Sequence, residues 1–232
     1  MVVSIILLSL GLIFAGLFIY GKVTNYKVTT NILKLITSLL FVSLAVYLFI
    51  YKGYPNVGIF IIAGAFFGMI GDIALGLKRI FKEKDKLLTG LGMLFFLIGH
   101  IVYITGLSIN FYDGSNFLLV LIPSILSVLV GASLLVFEKK MDLDLGSLRI
   151  PGVFYLICLS LVPFISFSYL IGQSFNSVFL IMMTIGGVFF FISDIILSKT
   201  YFSENVKRRD LILSSVTYYL AQFIIAFALF FL

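Results

Sequence analysis

Residues 64–75 read GAFFGMIGDIAL, a stretch of small and apolar side chains that contains one charged residue, Asp72. The longer run around it, residues 57–77, carries no other charge. A helix of this length crosses a bilayer core of about 30 Å. The stretch therefore predicts a transmembrane helix with an ionisable group inside it, in a protein whose solvent is largely lipid.

The rest of the chain has the same character. Of its 232 residues, 62% are hydrophobic and 11% are charged, whereas soluble domains hold about 25% charged residues. Apolar runs occur at residues 2–20, 31–50, 57–77, 87–107, 117–137, 151–171, 177–198 and 211–232. The first run lacks the basic segment of a signal peptide, so we expect it to be retained. The short connections leave no room for a soluble domain, and the sequence predicts an all-α integral membrane protein, a single bundle of eight transmembrane helices over residues 1–232.

Lysine and arginine are concentrated in alternate connections. The first, third, fifth and seventh connections hold Lys22, Lys27, Lys78, Arg79, Lys82, Lys84, Lys86, Lys139, Lys140, Arg149, Lys199, Lys207, Arg208 and Arg209. By the positive-inside rule these connections face the cytoplasm and both termini face outward. We expect a bacterial-type cytoplasmic membrane rather than an organelle membrane. Topology and attraction to anionic membrane lipid explain the net charge of +6, so nucleic-acid binding is not expected.

A second stretch resembles the first. Residues 186–197 read GGVFFFISDIIL, and an offset of 122 residues superposes Asp72 on Asp194 and His100 on Gln222. The pattern favours two four-helix halves in parallel orientation, related by an axis along the membrane normal. Chance similarity between apolar sequences is the alternative.

Four ionisable residues lie inside predicted spans: Lys34, Asp72, His100 and Asp194. Each costs about 2.5–3.5 kcal/mol to insert, which makes a functional role the first hypothesis. Asp72 and Asp194 lie at equivalent depths near the cytoplasmic ends of their spans. Gly64 and Gly68 share a helix face with Asp72, so this face should pack against another helix and direct Asp72 into the bundle.

Two buried carboxyl groups at one depth are a candidate acid–base pair. Desolvation and mutual repulsion would keep a proton on at least one of them near neutral pH. The alternative is structural: Asp72 would pair with Lys34, which lies at a similar depth, and Asp194 would be satisfied locally. We favour the catalytic pair.

The other polar groups in the spans have two interpretations each. His100 shares its helix face with Phe96 and Tyr103, and it is either a proton carrier or a core residue. The eighth span carries a polar stripe with helical spacing, formed by Ser215, Tyr218, Tyr219 and Gln222. Because lipid offers no hydrogen-bond partners, the stripe should face other helices, where it either contacts substrate or joins the helices.

Several familiar sites are missing from the sequence. A single cysteine, Cys158, and a single histidine form neither an intrachain disulfide nor a multi-histidine metal site. There is no G-x-S-x-G elbow, glycine-rich phosphate loop, C-x-x-C or H-E-x-x-H, so serine-lipase, nucleotide and zinc-protease mechanisms have no support. We expect no cofactor and no metal.

The motifs occur in a fixed order: LK at residues 33–34, IGDIALGL at 70–77, GMLFFLIGHIVYI at 92–104, GGVFFFISDIILS at 186–198 and SVTYYLAQ at 215–222. In this order and spacing the chain resembles the YhhN-like lysoplasmalogenase family of polytopic membrane proteins across nearly its whole length. Leu35 departs from the family pattern, which often has proline after the lysine.

The resemblance implies hydrolysis of the vinyl-ether bond of a lysoplasmalogen, or of another ether lysophospholipid, to a fatty aldehyde and a glycerophospho compound. A vinyl ether is protonated at its distal carbon and gives an oxocarbenium ion that water captures, so the site needs an acid and a stabilising carboxylate. Asp72 and Asp194 would fill these roles in either order, with His100 as proton relay. The residues expected to contact the substrate are Lys34, Tyr103, Ser193, Tyr218, Tyr219 and Gln222.

A proton-coupled transporter is the rival interpretation, with the same two aspartates as proton sites. Transporter binding sites are typically formed by broken helices, and here Pro163 and the glycine pair at 186–187 are the residues that could break a span. A purely structural membrane protein comes third, because it leaves two buried aspartates at one depth unexplained.

Overall fold

The computed structural model describes residues 1–24, 26 and 28–232. Over these residues it contains eight α-helices and no strand, and each helix is long and apolar enough to cross a membrane. The all-α membrane fold predicted from the sequence is therefore confirmed, and the protein is a multi-pass membrane protein. Lys27, counted above among the basic residues of the first connection, lies outside the described residues.

The helices, in chain order, are α1 (Val2–Thr24), α2 (Val28–Tyr51), α3 (Asn56–Leu77), α4 (Asp85–Phe111), α5 (Leu118–Phe137), α6 (Arg149–Gly172), α7 (Val178–Phe202) and α8 (Arg208–Ala228). Each helix begins within three residues and ends within four residues of a predicted apolar run. The differences arise because an apolar run ends at the first polar side chain, whereas a helix continues as long as its backbone groups are bonded. α7, for example, continues past residue 198 to Phe202.

Glycines bring the aspartate-bearing helices close to their partners. A Cβ atom added to Gly99 of α4 would lie 3.0 Å from the backbone oxygen of Gly64 in α3. α7 and α8 approach in the same way, since a Cβ added to Gly186 would lie 2.6 Å from the side chain of Ile225. Close approach at small residues is a main source of helix association in lipid. Asp72 and Asp194 therefore lie on tightly packed helix pairs.

α8 lies between the two aspartate-bearing helices. It packs against α7 and α3, and also against α1 and α2. α3 and α8 are the most enclosed spans: 56% of the residues in the apolar stretch that defines each span are buried, compared with 17% in α5. α5 packs mainly against α6. The polar stripe of α8 is therefore held in the interior, within reach of both α3 and α7.

Most helix boundaries follow the repeat suggested by the sequence. Shifting the starts of α2, α3 and α4 by 122 residues reproduces the starts of α6, α7 and α8 to within one residue. α1 and α5 are not related in this way, because α5 begins earlier than the shift predicts. The resemblance between the two halves is thus carried by the last three helices of each.

α6 and α7 continue through the residues that could have interrupted them. Pro163 lies inside α6 and Gly187 lies inside α7. A Cβ added to Gly187 would lie 3.0 Å from the ring of Pro163, so the proline packs against the position where the neighbouring helix has no side chain. In the part of the chain that the structure describes, every span is one unbroken helix.

We predict that both termini face away from the cytoplasm and that residues 78–86 face it, because this connection carries five basic residues. Reporters that are active only outside the cytoplasm should be active when fused after Leu232 and inactive when inserted beside Glu83. A cytoplasmic signal from the fusion at Leu232 would contradict the predicted orientation of the eight spans.

Candidate active site

A polar cavity lies at the end of the bundle that holds the third and seventh connections. Its volume is about 520 Å³, including its open mouth, and both aspartates line it. Four of the residues predicted to contact substrate also line it: Lys34, Ser193, Tyr218 and Tyr219. The cavity therefore brings together side chains from α2, α3, α7 and α8 that are far apart in sequence.

Asp72 is almost fully buried, with 2% of its surface exposed. Nζ of Lys34 lies 3.0 Å from its Oδ1, and the hydroxyls of Ser38 and Tyr218 each donate to its Oδ2 at 2.7 Å. Nε2 of Gln222 donates in turn to the Tyr218 hydroxyl at 3.2 Å. Asp72 therefore forms the ion pair with Lys34 that the structural interpretation predicts, and it also lines the cavity.

Asp194 has different neighbours. The hydroxyl of Tyr155, from α6, donates to its Oδ2. Within the described ranges no lysine, arginine or histidine forms an ion pair with it. The adjacent Ser193 donates to the backbone oxygen of Ser214 at 2.9 Å, which fixes α7 to α8 beside the aspartate. The two aspartates share one cavity, but their electrostatic surroundings differ.

Positive charge surrounds the cavity. Lys22 and Arg79 line it together with Lys34, and the Arg79 guanidinium lies 4.5 Å from the centroid of the Tyr26 ring. Burial raises the pKa of the Tyr26 hydroxyl, so this group stays neutral at physiological pH. The cavity therefore has three basic side chains beside its two aspartates, an arrangement that suits binding of an anionic group.

Three of the predicted site residues do not line this cavity: His100, Tyr103 and Gln222. The His100 ring is buried, with its centroid 4.7 Å from that of Phe190 and 5.9 Å from that of Tyr155. Because Tyr155 donates to Asp194, it links the histidine to the aspartate by contact. His100 lies beside Tyr155, which bonds to Asp194, and Gln222 bonds to Tyr218, which bonds to Asp72. One tyrosine therefore separates each of these two residues from an aspartate.

The polar stripe of α8 both joins helices and lines the cavity. Its Ser215 hydroxyl accepts a hydrogen bond from Lys22 at 2.7 Å, which connects α8 to α1. The Tyr219 ring lies 5.7 Å from that of Phe18, also in α1. Tyr218 connects α8 to α3 through Asp72. The stripe therefore joins helices and is also placed where it could contact a substrate.

The sequence reasoning missed several residues of the site. Tyr155 is one of many aromatic residues in the spans, and no local pattern relates it to Asp194. Topology alone accounts for Lys22 and Arg79 in the sequence, although Lys22 lies within the last turn of α1 rather than in the connection. The position of Lys22 close to the apolar run is the feature of the sequence that could have indicated a site residue, because a lysine in the last turn of a helix can point toward the bundle.

Among the described residues, no three His, Cys, Asp or Glu side chains gather as ligands for a metal ion. The cavity instead combines carboxyl groups, hydroxyls and cations, which are the groups of acid–base chemistry and anion binding. Fold and site together define a polytopic membrane protein with a polar site between its helices.

The comparisons with known proteins identify the family. The sequence matches the YhhN family over residues 29–229, which covers α2 to α8 and every site residue predicted from the sequence. The chain belongs to the YhhN family, and the resemblance noted from its motifs is confirmed. No curated protein and no solved structure was found to match it.

Proposed function

We propose that the protein is a hydrolase that cleaves the vinyl-ether bond of lysoplasmalogens to a fatty aldehyde and a glycerophospho compound. The observation that carries the proposal is the unequal surroundings of two aspartates in one cavity. Cleavage of an ether by acid catalysis needs a carboxylic acid and a carboxylate, and unequal environments let one site supply both. The reaction implied by the family resemblance makes the same demand.

The roles of the aspartates follow from their partners. We assign the stabilising role to Asp72, because its negative charge is held by Lys34 and two hydroxyl groups. We assign the role of acid to Asp194, whose described partner is the neutral Tyr155. His100 contacts Tyr155 and is a positioning residue in this scheme.

The reaction balances with water as the only co-substrate. The Asp194 carboxyl group donates its proton to the vinyl carbon farther from the ether oxygen, and the electron pair of the double bond forms the new C–H bond. The positive charge that results on the other carbon and the oxygen is stabilised by the Asp72 carboxylate. Water then adds to that carbon and returns a proton to Asp194. The hemiacetal breaks into the aldehyde and the free hydroxyl of the glycerophospho product.

The cations of the cavity suit the head group of such a lipid. A lysophospholipid carries one negatively charged phosphodiester at the polar boundary of the membrane. Lys22 lies in the last turn of α1 and Arg79 follows the end of α3, at the same end of the bundle as the site. Lysine and arginine both bind phosphate oxygens. With the predicted topology, the lipid enters from the cytoplasmic leaflet of a bacterial-type cytoplasmic membrane.

A proton-coupled transporter is a weaker fit to the same residues. Its substrate site would typically lie where helices are interrupted at the middle of the membrane. The described spans are continuous, and both aspartates lie near one end of their helices. The arrangement is closer to a site that acts on a molecule already held in one leaflet.

The experiment that tests the proposal is turnover of a lysoplasmalogen by the purified protein in D₂O. The aldehyde should be trapped at once as an oxime and should carry deuterium at its second carbon, because protonation occurs there. The matched saturated alkyl-ether lysolipid should not react. Release of a fatty acid rather than an aldehyde, or no turnover of any ether lysolipid, would refute the proposal.

We predict that Lys22→Met raises KM by about tenfold or more and changes kcat little. A charge-assisted hydrogen bond is typically worth about 1.5–3 kcal/mol, and contact with the phosphate is the same in the ground state and the transition state. Lys52→Met is the matched control, because Lys52 lies at the opposite end of the bundle. The two ammonium groups contact aromatic rings similarly, at 5.8 Å for Lys22 and 5.6 Å for Lys52. A fall in kcat at unchanged KM would argue against phosphate binding by Lys22.

A further inference from the structure

A second cavity lies beside the polar one, between α4, α5, α6 and α7. Its volume is about 1000 Å³, including its open side, and most of its wall is apolar, with residues such as Met93, Leu134, Phe137 and Leu159. The two cavities share five wall residues: Leu75, Phe96, Asp194, Leu197 and Tyr201. An apolar space therefore adjoins the cation-lined one.

Asp194 is the carboxyl group at the junction of the two cavities. Tyr155 lines the apolar cavity and donates its hydroxyl to Asp194, so the aspartate is held from the apolar side. Asp72 lines the polar cavity and is absent from the wall of the apolar one. Asp194 is therefore the one of the two aspartates that belongs to the wall shared by both cavities.

The connection between α5 and α6 covers the apolar cavity at the polar boundary of the bundle. Leu143 and Leu145 from this connection line the cavity and are buried. The backbone N–H of Asp144 donates to the backbone oxygen of Phe202 at 2.7 Å, which fixes the connection to the end of α7. This apolar cover is unfavourable for a charged head group, because burying an unpaired charge is costly.

We infer that the apolar cavity binds the single hydrocarbon chain of the lipid, while the phosphate lies in the polar cavity and the reacting double bond lies beside Asp194. The identity of the lipid rests on the proposed function. The reason for this occupant is that the two cavities share a wall that includes Asp194, and an amphiphile with one chain and one anionic head group matches both.

The arrangement also sets the order of groups along the substrate. From the chain toward the phosphate, the atoms are the distal vinyl carbon, the carbon bonded to oxygen, and the ether oxygen. The distal carbon therefore approaches the junction from the apolar side, where Asp194 lies. The distal vinyl carbon, which accepts the proton, is thus placed next to Asp194, the group assigned as the proton donor.

Filling the apolar cavity tests the inference. Ser133 on α5 lines it, and its hydroxyl donates only within its own helix, to Val130 at 2.6 Å. Ser133→Leu removes room for about two methylene groups, which should weaken binding of a long-chain lipid about tenfold relative to a short-chain one. Ser124→Leu is the matched control: Ser124 lies on the same helix, donates to Val120 at 2.7 Å, and is absent from the cavity wall.

The probes are saturated alkyl-ether lysophosphatidylethanolamines of increasing chain length, whose binding to purified full-length protein is measured without turnover. The inference predicts that Ser133→Leu lowers the ratio of long-chain to short-chain affinity and that Ser124→Leu leaves it unchanged. An unchanged ratio in Ser133→Leu, or the same shift in both variants, would overturn it. If the ratio shifts as expected but the unmodified protein hydrolyses no vinyl ether, the chain site stands and the proposed function fails.

Discussion

Replacing Asp194 by asparagine is expected to lower lysoplasmalogen turnover by more than about a hundredfold while the protein still folds and binds lipid. Asparagine keeps the volume and can accept the hydrogen bond from Tyr155, but it cannot donate a carboxylic proton. General acid catalysis is typically worth ~10²–10⁴-fold. The measurement is aldehyde formation at saturating substrate, together with binding of a saturated alkyl-ether lysolipid, which should be retained.

Asp113→Asn is the control for this substitution. Asp113 lies in the connection after α4, at the opposite end of the bundle, and hydrogen bonds from Ser115 lower the pKa of its carboxyl group. It is therefore ionised at neutral pH, and its replacement should leave turnover unchanged. If Asp194→Asn keeps normal turnover, Asp194 is not the acid of the reaction. If the unmodified protein turns over no lysoplasmalogen and Asp194→Asn abolishes a proton-dependent flux in vesicles, the protein is a transporter and not the proposed hydrolase.

Replacing Asp72 by asparagine is expected to cause a comparable loss of turnover for a different reason. The substitution removes the negative charge that stabilises the oxocarbenium ion, and it leaves the ammonium group of Lys34 without its carboxylate partner. A buried charge without its partner destabilises the protein, by about 3–5 kcal/mol in a fully buried pair. The expected result is a loss of more than about a hundredfold in kcat, accompanied by a lower midpoint of thermal unfolding.

The double variant Lys34→Met/Asp72→Asn separates these two effects. Replacing both members of a buried ion pair by neutral groups is often close to neutral for stability, so the unfolding midpoint should recover toward that of the unmodified protein. Turnover should not recover, because the stabilising charge is still missing. Recovery of both quantities would mean that Asp72 contributes to folding alone.

The losses of turnover caused by Asp72→Asn and by Asp194→Asn should not be additive in free energy. Both groups act on one transition state, and residues that act as a unit are strongly non-additive. The Asp72→Asn/Asp194→Asn variant is therefore expected to be little slower than the slower of the two single variants. Losses that multiply would indicate that the aspartates work in separate steps.

Much of the architecture could be predicted because the membrane constrains each span separately. A span must be long enough, apolar enough and internally hydrogen-bonded whatever its neighbours are, so the eight runs could be recognised one at a time. The same reasoning identified Asp72 and Asp194, since a charged residue inside a span is conspicuous against apolar sequence. The glycines beside Asp72 also indicated correctly that its face packs against another helix.

The parts of the site that could not be predicted all depend on contacts between distant helices. The sequence indicated that Lys34 lies at the depth of Asp72, but no pattern pointed from Tyr155 to Asp194. Lys22 and Arg79 had a sufficient explanation in topology, so their inward orientation was not expected. The apolar cavity could not be predicted at all, because space left between four helices has no signature in any one of them.

The sequence by itself determined the eight spans, their predicted orientation and the two aspartates, because lipid imposes the same requirements on every helix that crosses it. The tertiary structure alone decided that Asp72 pairs with a cation while Asp194 pairs with a tyrosine at the junction of two cavities. Those differences arise from the rotation and packing of helices that are far apart in the chain. Two residues with equivalent positions in a sequence repeat can therefore acquire different chemistry, since their partners come from helices whose sequences are not equivalent.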